Sequence, residues 1–275
     1  MNNTVKWIAV AVCVAGLQAH AGQRVVCLGG AVTECVFALG AGDEVVAVDD
    51  SSGFPAEAAA LPRVGYYRMV SAEGVLSVKP DLVLASAEAG PPPALAQIER
   101  AGVRVVRIPG AATVSGCVER VRAVGVALEQ TEAAEAMATS IVSELADFPP
   151  PPGGVPARVL FVFARGAGTF NVAGTDTAAD EIIRLAGGVN AVGGYSGYRP
   201  LTAEAVVESA PDVVLVTSSG LAGLGGEAAL WAVPGMKATP AAKQGRAVAM
   251  DDLLLLGFGP RLPEAAKTLH QLLYR

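Results

Sequence analysis

Two tyrosines and an arginine stand together in the segment Gly65-Tyr66-Tyr67-Arg68. A guanidinium beside a phenol favours the phenolate, because the cation stabilises the negative charge. A phenolate is a hard anionic ligand that suits ferric iron, and tyrosine-ligated ferric haem is one instance of this chemistry. If the segment is extended, Tyr66 and Arg68 point to one side and Tyr67 to the other. The alternative is a tyrosine that only packs, beside a surface arginine.

A related segment, Gly197-Tyr198-Arg199, follows at a constant offset of 131 residues. Its tyrosine and arginine align with Tyr67 and Arg68, whereas a glycine stands at the position of Tyr66. A residue that is present in both copies is most simply structural. The unpaired Tyr66 is therefore the place where a specific ligand contact could have been added.

The same offset relates two longer stretches, SAEGVLSVKPDLVLAS at 71–86 and TAEAVVESAPDVVLVT at 202–217. Each copy predicts a short amphipathic helix, a Pro-Asp step and a buried apolar strand. Glu73 and Glu204 fall near the starts of the two helices, where the helix dipole favours a carboxylate. Capping accounts for either glutamate alone, but two equivalent acids could also contact one partner that straddles both copies.

Repeated helix–strand units predict an α/β fold with two similar lobes and a ligand cleft between them. The helix predicted over 132–148 runs into a Pro/Gly segment at 149–154, which cannot continue a helix and marks the clearest boundary in the chain. We therefore expect an N-terminal lobe at 22–131, a connecting helix and linker at 132–154, and a C-terminal lobe at 155–275. A single long helix joins the lobes in this plan.

Residues 1–21 have the pattern of a secretory signal peptide. Lys6 supplies the positive charge, residues 7–17 the apolar region, and Ala19-His20-Ala21 the cleavage site. We expect cleavage after Ala21 and export to the periplasm. A lipid anchor on Cys13 is the alternative, although the residues before it depart from the lipoprotein consensus.

The composition and the missing motifs argue against three other classes of protein. The formal charge is −6, or −7 without Lys6, and no basic run occurs, which excludes nucleic acid as an expected partner. After the leader only one histidine remains, His270, which we predict on the surface of the terminal helix. A zinc or manganese carrier would need more such ligands. A serine hydrolase would need a G-x-S-x-G turn, and Gly194-Tyr195-Ser196-Gly197-Tyr198 fails at its last position.

The mature chain keeps three cysteines, Cys27, Cys35 and Cys117. Export permits disulfides, but the number is odd. We predict buried free thiols, with a Cys27–Cys35 pair as the alternative.

The chain resembles the periplasmic hemin-binding proteins of bacterial haem ABC importers, within the wider class of cobalamin, siderophore and haem carriers. The resemblance covers the mature chain and rests on LPRVGYYRMVSAEGVLSVKPDLVLAS, AEAGPP, TAADEIIRLAGGVNAV, GYRPLTAEAVVESAPDVVLVT and MDDLLLLGFGPRLPEA. It implies a monomeric binding protein, not an enzyme, that binds ferric haem (ferric protoporphyrin IX) in an apolar cleft and delivers it to an inner-membrane permease.

The resemblance also assigns roles by position. It places the axial iron ligand at Tyr66 and a basic contact to the ligand or a propionate at Arg68, and it places Glu73 and Glu204 against arginines of the permease. Tyr67 and Tyr198 are the next candidates for the iron ligand.

One departure bears on the ligand set. Some relatives add a histidine from a loop of the second lobe, but here that loop reads Ala164-Arg165-Gly166-Ala167-Gly168 and has none. The absence argues for tyrosine-only ligation and against a stacked pair of haems. Propionate contacts could come from Arg165, Arg199 or Arg261. The alternatives are a corrinoid or ferric-siderophore carrier of the same class, an exported hydrolase, and a pair of structural lobes without a ligand.

Overall fold

The N-terminal half forms a parallel four-stranded sheet in the computed structural model, which describes residues 22–146, 148–164 and 170–275. The strands have the spatial order β2-β1-β3-β4. They are β1 (Val25–Leu28), β2 (Val45–Val48), β3 (Leu82–Ser86) and β4 (Arg104–Ile108). The helices of this half are α1 (Gly30–Ala38), α2 (Ala56–Ala59), α3 (Ala72–Ser77), α4 (Pro92–Arg100) and α5 (Val114–Ala127). The central strands β1 and β3 are buried on both faces, as continuous apolar strands of a parallel sheet should be.

The C-terminal half forms a mixed sheet in the order β10-β9-β5-β6-β8, with β7 also paired to β5. The strands are β5 (Arg158–Ala164), β6 (Phe170–Ala173), β7 (Val189–Asn190), β8 (Tyr198–Pro200), β9 (Val213–Thr217) and β10 (Ala247–Met250). The helices are α7 (Ala178–Leu185), α8 (Ala203–Ser209), α9 (Ser218–Leu224), α10 (Glu227–Ala232), α11 (Pro240–Lys243), α12 (Asp252–Leu256) and α13 (Leu262–Leu273). The long helix α6 (Thr131–Ala146) lies between the two halves in the chain. The predicted α/β fold of two similar lobes is confirmed.

The repeat corresponds to equivalent units of the two lobes. The first copy forms α3 and β3, which pairs with β1, and the second forms α8 and β9, which pairs with β5. Ser71 and Thr202 cap α3 and α8 by accepting from the backbone N–H of Gly74 and of Ala205.

Three short strands, β6, β7 and β8, were not predicted from the sequence. The strands β6 and β8 run antiparallel to their neighbours and extend the sheet of the C-terminal lobe only. Residues 198–200 on β8 are all exposed, so no buried apolar run marks this strand in the sequence.

The inner faces of both sheets share one hydrophobic core. Alternate residues of β1 and β5 point to it, Val25 and Cys27 from one strand and Val159 and Phe161 from the other. The connecting helix α6 contributes Ala134, Ala138 and Ile141, and α13 contributes its buried face. The lobes are therefore joined by packing as well as by the helix. No helix in the described part of the chain is long and apolar enough to cross a membrane.

Candidate functional site

A cleft of about 720 Å³ lies between the two lobes, within the size range of small-molecule sites. Its floor begins at the turn from β1 to α1. Gly30 is required there because a Cβ would lie 2.5 Å from the Ser51 carbonyl oxygen and 2.7 Å from a Leu253 methyl carbon. The buried Asp49 carboxylate fixes this turn by accepting hydrogen bonds from the Gly29 N–H and from the N–H and hydroxyl of Ser51.

The segment that contains Tyr66 forms one wall of the cleft, but not in the predicted conformation. Residues Tyr67–Met69 form a 3₁₀ turn, so the side-chain alternation expected of an extended segment is wrong here. Backbone hydrogen bonds hold the turn against the neighbouring loop, because Gly90 donates to the Tyr67 carbonyl and Val70 donates to the Gly90 carbonyl. These hydrogen bonds to a residue outside the segment favour the turn over the extended conformation.

Arg68 is bonded to Tyr67. Its Nε donates to the Tyr67 hydroxyl at 2.9 Å, and its guanidinium carbon lies 5.2 Å from the Tyr67 ring centroid. Burial nevertheless raises the pKa of Tyr67, although the hydrogen bond from Arg68 acts in the opposite direction. The ring of Tyr66 meets that of Tyr67 edge to face at 4.8 Å and keeps 38% of its surface exposed. All three side chains line the cleft.

The opposite wall is built by the start of α7 and by β8. Asp176, Thr177 and Ala178 line it, together with Gly197 and Tyr198. Thr177 caps α7 by accepting from the Asp180 N–H at 3.1 Å. Burial raises the pKa of Tyr198.

The repeat therefore places related residues on both walls of one cleft. Tyr67 and Tyr198 line opposite walls, and so do Tyr66 and Gly197. The cleft wall that carries Gly197 has no side chain at the position where the first wall carries a phenol.

Carboxylates make the cleft less apolar than the sequence led us to expect. Apolar side chains at Val32, Leu253 and Leu256 line its base. The lining also includes five acidic residues, Asp50, Glu88, Asp176, Asp251 and Asp252. Two of these acids are held by serine hydroxyls, Glu88 by Ser86 and Asp252 by Ser219.

Arg120 on α5 also lines the cleft and was missed by the sequence reasoning. Its guanidinium donates to the carbonyls of Phe258 at 2.5 Å and Gly110 at 2.6 Å, and only 8% of the residue is exposed. Phe258 is 138 residues away in the chain, so no local pattern marks this arginine.

Two predicted arginines lie elsewhere. Arg199 does not line the cleft and stacks on Tyr195 instead, 4.3 Å from its ring centroid. Arg261 forms an ion pair with the buried Glu34 and lies 3.6 Å from the centroid of the Phe54 ring. Burial raises the pKa of Glu34 even though Arg261 opposes the shift. Arg165 lies outside the described residues, as do Cys13 and the predicted cleavage site after Ala21.

The prediction that His270 lies on the surface is wrong, because the side chain is partly buried. Its Nδ1 lies 3.0 Å from the Ala186 carbonyl, and its ring contacts Phe148 and Tyr274. Between residues 22 and 275, with 147 and 165–169 left aside, no three His, Cys, Asp or Glu side chains are grouped to hold a metal ion.

Glu73 and Glu204 occupy equivalent places on the two lobes. Each lies in the first turn of its helix, α3 or α8, and each is exposed. The thiols of Cys27, Cys35 and Cys117 are free and buried, as predicted.

A model of the family described as "Periplasmic binding protein" matches residues 25–253. Two solved structures are similar along almost the full described chain. The periplasmic heme-binding protein BhuT in complex with two hemes is 46% identical, covers 92% of this chain and 98% of its own, and has a TM-score of 0.85. The apo form of RhuT, a periplasmic heme-binding protein from Roseiflexus sp. RS-1, is 40% identical with the same coverage and a TM-score of 0.87.

Curated relatives extend the comparison. The uncharacterized ABC transporter substrate-binding lipoprotein YvrC of Bacillus subtilis is 28% identical over 257 residues, which is 92% of this chain and 80% of YvrC. The vitamin B12-binding protein of Vibrio cholerae is 35% identical over 83 residues, which is 30% of each chain.

Proposed function

The chain belongs to the periplasmic binding protein family, and from that premise we propose that it is the periplasmic substrate-binding component of a haem ABC importer. It is exported, binds ferric haem in the cleft between its lobes, and delivers it to the permease. The extent of its similarity to BhuT and RhuT supports haem as the substrate.

One observation carries the proposal. Tyr66 lines the cleft on one wall, while the equivalent position on the other wall is Gly197. The Tyr66 phenol thus has no counterpart at the aligned position, although the Tyr198 ring lines the same wall as Gly197. This asymmetry suits a flat macrocycle that is ligated by Tyr66 from one face. The Tyr66 phenolate is the axial ligand in this proposal, because an anionic oxygen favours ferric over ferrous iron.

The rest of the cleft orients the porphyrin. Val32, Leu253 and Leu256 offer apolar contact to its faces and edges, and the rings of Tyr67 and Tyr198 lie on either wall. Of the two arginines that line the described part of the cleft, Arg120 already donates to two carbonyls. Arg68 is therefore the contact that we propose for a propionate or for the axial ligand, while the five acidic residues disfavour propionates elsewhere in the lining.

Titration with ferric hemin tests the proposal. We expect saturable binding with the visible spectrum of a high-spin ferric tyrosinate complex. Tyr66→Phe should lose that spectrum and weaken binding by roughly tenfold to a hundredfold, since it removes the iron ligand but keeps the ring. Tyr67→Phe is the comparison variant and should keep the tyrosinate spectrum, because it removes the neighbouring hydroxyl and its bond to Arg68 but leaves the proposed iron ligand. An unchanged spectrum in Tyr66→Phe would refute this ligand, and no saturable binding to the unsubstituted chain would refute the function.

A corrinoid carrier is the second candidate, supported by the similarity to the vitamin B12-binding protein. Titration with cyanocobalamin discriminates between the two. Corrinoid cobalt arrives with its own axial ligands, so its binding should not depend on the Tyr66 hydroxyl. Binding of cyanocobalamin that is tighter than binding of hemin and unaffected by Tyr66→Phe would favour this candidate.

We further propose that Glu73 and Glu204 contact the permease. Their equivalent positions, one on each lobe, and their exposure in the first helical turn support this role. One partner that spans the mouth of the cleft could contact both carboxylates at once.

A further inference from the structure

The segment at 257–261, here called the joint segment, connects α12 to α13 in the C-terminal lobe and contacts the N-terminal lobe. The carbonyl of Phe258 accepts from Arg120, and the carbonyl of Gly259 accepts from the Cys117 thiol at 3.2 Å. Arg261 adds the ion pair to Glu34 on α1. The joint segment therefore meets two helices of the other lobe.

The packing of the joint segment leaves little freedom. Phe258 is 2% exposed and adopts a left-handed backbone conformation with φ +53°, which a residue of this size adopts only when its surroundings impose it. A Cβ on Gly259 would lie 2.5 Å from a carboxylate oxygen of Glu34. The segment thus fits the N-terminal lobe in one arrangement.

Arg120 both contacts the joint segment and lines the cleft. One end of its guanidinium donates to Gly110, which follows β4 in the N-terminal lobe, and the other end donates to Phe258 in the C-terminal lobe. Among the residues that the structure describes, no carboxylate forms an ion pair with it. Burying a cation without a carboxylate partner costs free energy of folding. The two hydrogen bonds, one to each lobe, therefore suggest that Arg120 is retained for a function in the cleft.

We propose that Arg120 is a positioning residue that holds the two walls of the cleft at a fixed separation and thereby slows the release of the ligand. The planar guanidinium suits this task because it donates in two directions from one rigid group. The consequence for release rests on the proposed function, whereas the effect on the separation of the walls does not.

Distance measurements on the ligand-free protein test the first part. Spin labels at Ser77→Cys and Glu208→Cys occupy equivalent exposed positions on the two lobes, and the native thiols are buried. We expect a narrow distance distribution in the parent chain and a broader one after Arg120→Met or Arg120→Lys. The lysine keeps the charge but cannot bridge both carbonyls. Arg122→Met on the same helix is the control, because its exposed ion pair to Glu135 stays within α5 and α6.

Haem release tests the second part. Transfer of bound hemin to excess apomyoglobin should be about tenfold faster from both Arg120 variants, since changes within one site act mostly on the dissociation rate. The ferric spectrum should stay unchanged, which separates this role from ligation. Folded Arg120 variants with the parental distance distribution would overturn the proposal, as would a parental release rate. If Arg120→Met does not fold, Arg120→Lys carries both measurements. If the parent binds no hemin, the proposed function fails while the distance test still decides the role of Arg120.

Discussion

Three buried thiols lie on the inner face of the N-terminal lobe, at Cys27 on β1, Cys35 on α1 and Cys117 on α5. Burial raises the pKa of Cys27 to about 12 and that of Cys117 to about 11, and it also raises the pKa of Cys35. The thiolate is the reactive form, so these groups are inert near neutral pH. Because the folded state holds the proton more tightly, stability is unaffected below the ordinary thiol pKa of about 9.0 and falls as the pH rises above it.

We therefore expect no reaction of the native mature protein with Ellman's reagent at pH 8, where a thiol of pKa about 11 is roughly one part in a thousand thiolate. Unfolding in guanidinium chloride without reductant should release one equivalent of chromophore from each of the three thiols. A single equivalent after unfolding would reveal a Cys–Cys bond and contradict the free thiols.

Single residues show where sequence reasoning succeeds at the candidate site. The break in the repeat singled out Tyr66, and the structure places Tyr66 and Gly197 in the lining of one cleft. The relation of Tyr66 to Arg68 was not predictable, because the turn at 67–69 depends on hydrogen bonds to Gly90, a residue outside the segment. The guanidinium accordingly bonds to Tyr67.

At the scale of elements, the Pro-Asp step of each repeat copy anchors the first strand of its lobe. The Asp81 carboxylate accepts from the backbone N–H of Arg24, and the Asp212 carboxylate accepts from that of Arg158, both at 2.9 Å. These two arginines precede or begin the strands β1 and β5. Each step therefore ties two adjacent parallel strands at their N-terminal ends.

Removal of either carboxylate should lower the free energy of unfolding. We expect a loss of about 1 kcal/mol for Asp81→Ala and for Asp212→Ala, the usual net value of such a hydrogen bond. The two losses should add in the double variant because the residues lie in different sheets. Urea denaturation measures all three, with Asp43→Ala as an exposed control. A loss confined to one of the two sites would show that the anchors are not equivalent.

The predictability of the elements follows from their burial. Apolar runs such as 82–86 and 213–217 predicted strands because each is buried on both faces of its sheet. By contrast, β8 at 198–200 is exposed and exists only because it pairs with β6. Its formation depends on a neighbouring strand, which no periodicity in the segment records.

At the scale of the molecule, long-range contacts determine how the lobes sit together. Arg120 and Phe258 are 138 residues apart, and Glu34 and Arg261 are 227 residues apart. Such pairs have no local sequence signature. The sequence therefore predicted two lobes and a cleft, but not the contacts between the lobes at the base of the cleft. Together with the shared core, they favour small rocking of the lobes over a wide hinge.

The docking role that we propose for Glu73 and Glu204 requires the two lobes to hold these carboxylates at a nearly fixed spacing, and charge reversal tests that role. In proteoliposomes that carry the permease, Glu73→Arg or Glu204→Arg should reduce haem-stimulated ATP hydrolysis about tenfold, and the double variant further, because like charges then oppose docking. Hemin affinity should stay unchanged, since neither residue lines the cleft. Glu132→Arg is the matched control, being an exposed glutamate in the first turn of α6 whose reversal disturbs a helix dipole in the same way. Wild-type stimulation by the double variant, or an equal loss in the control, would contradict a docking role for this pair.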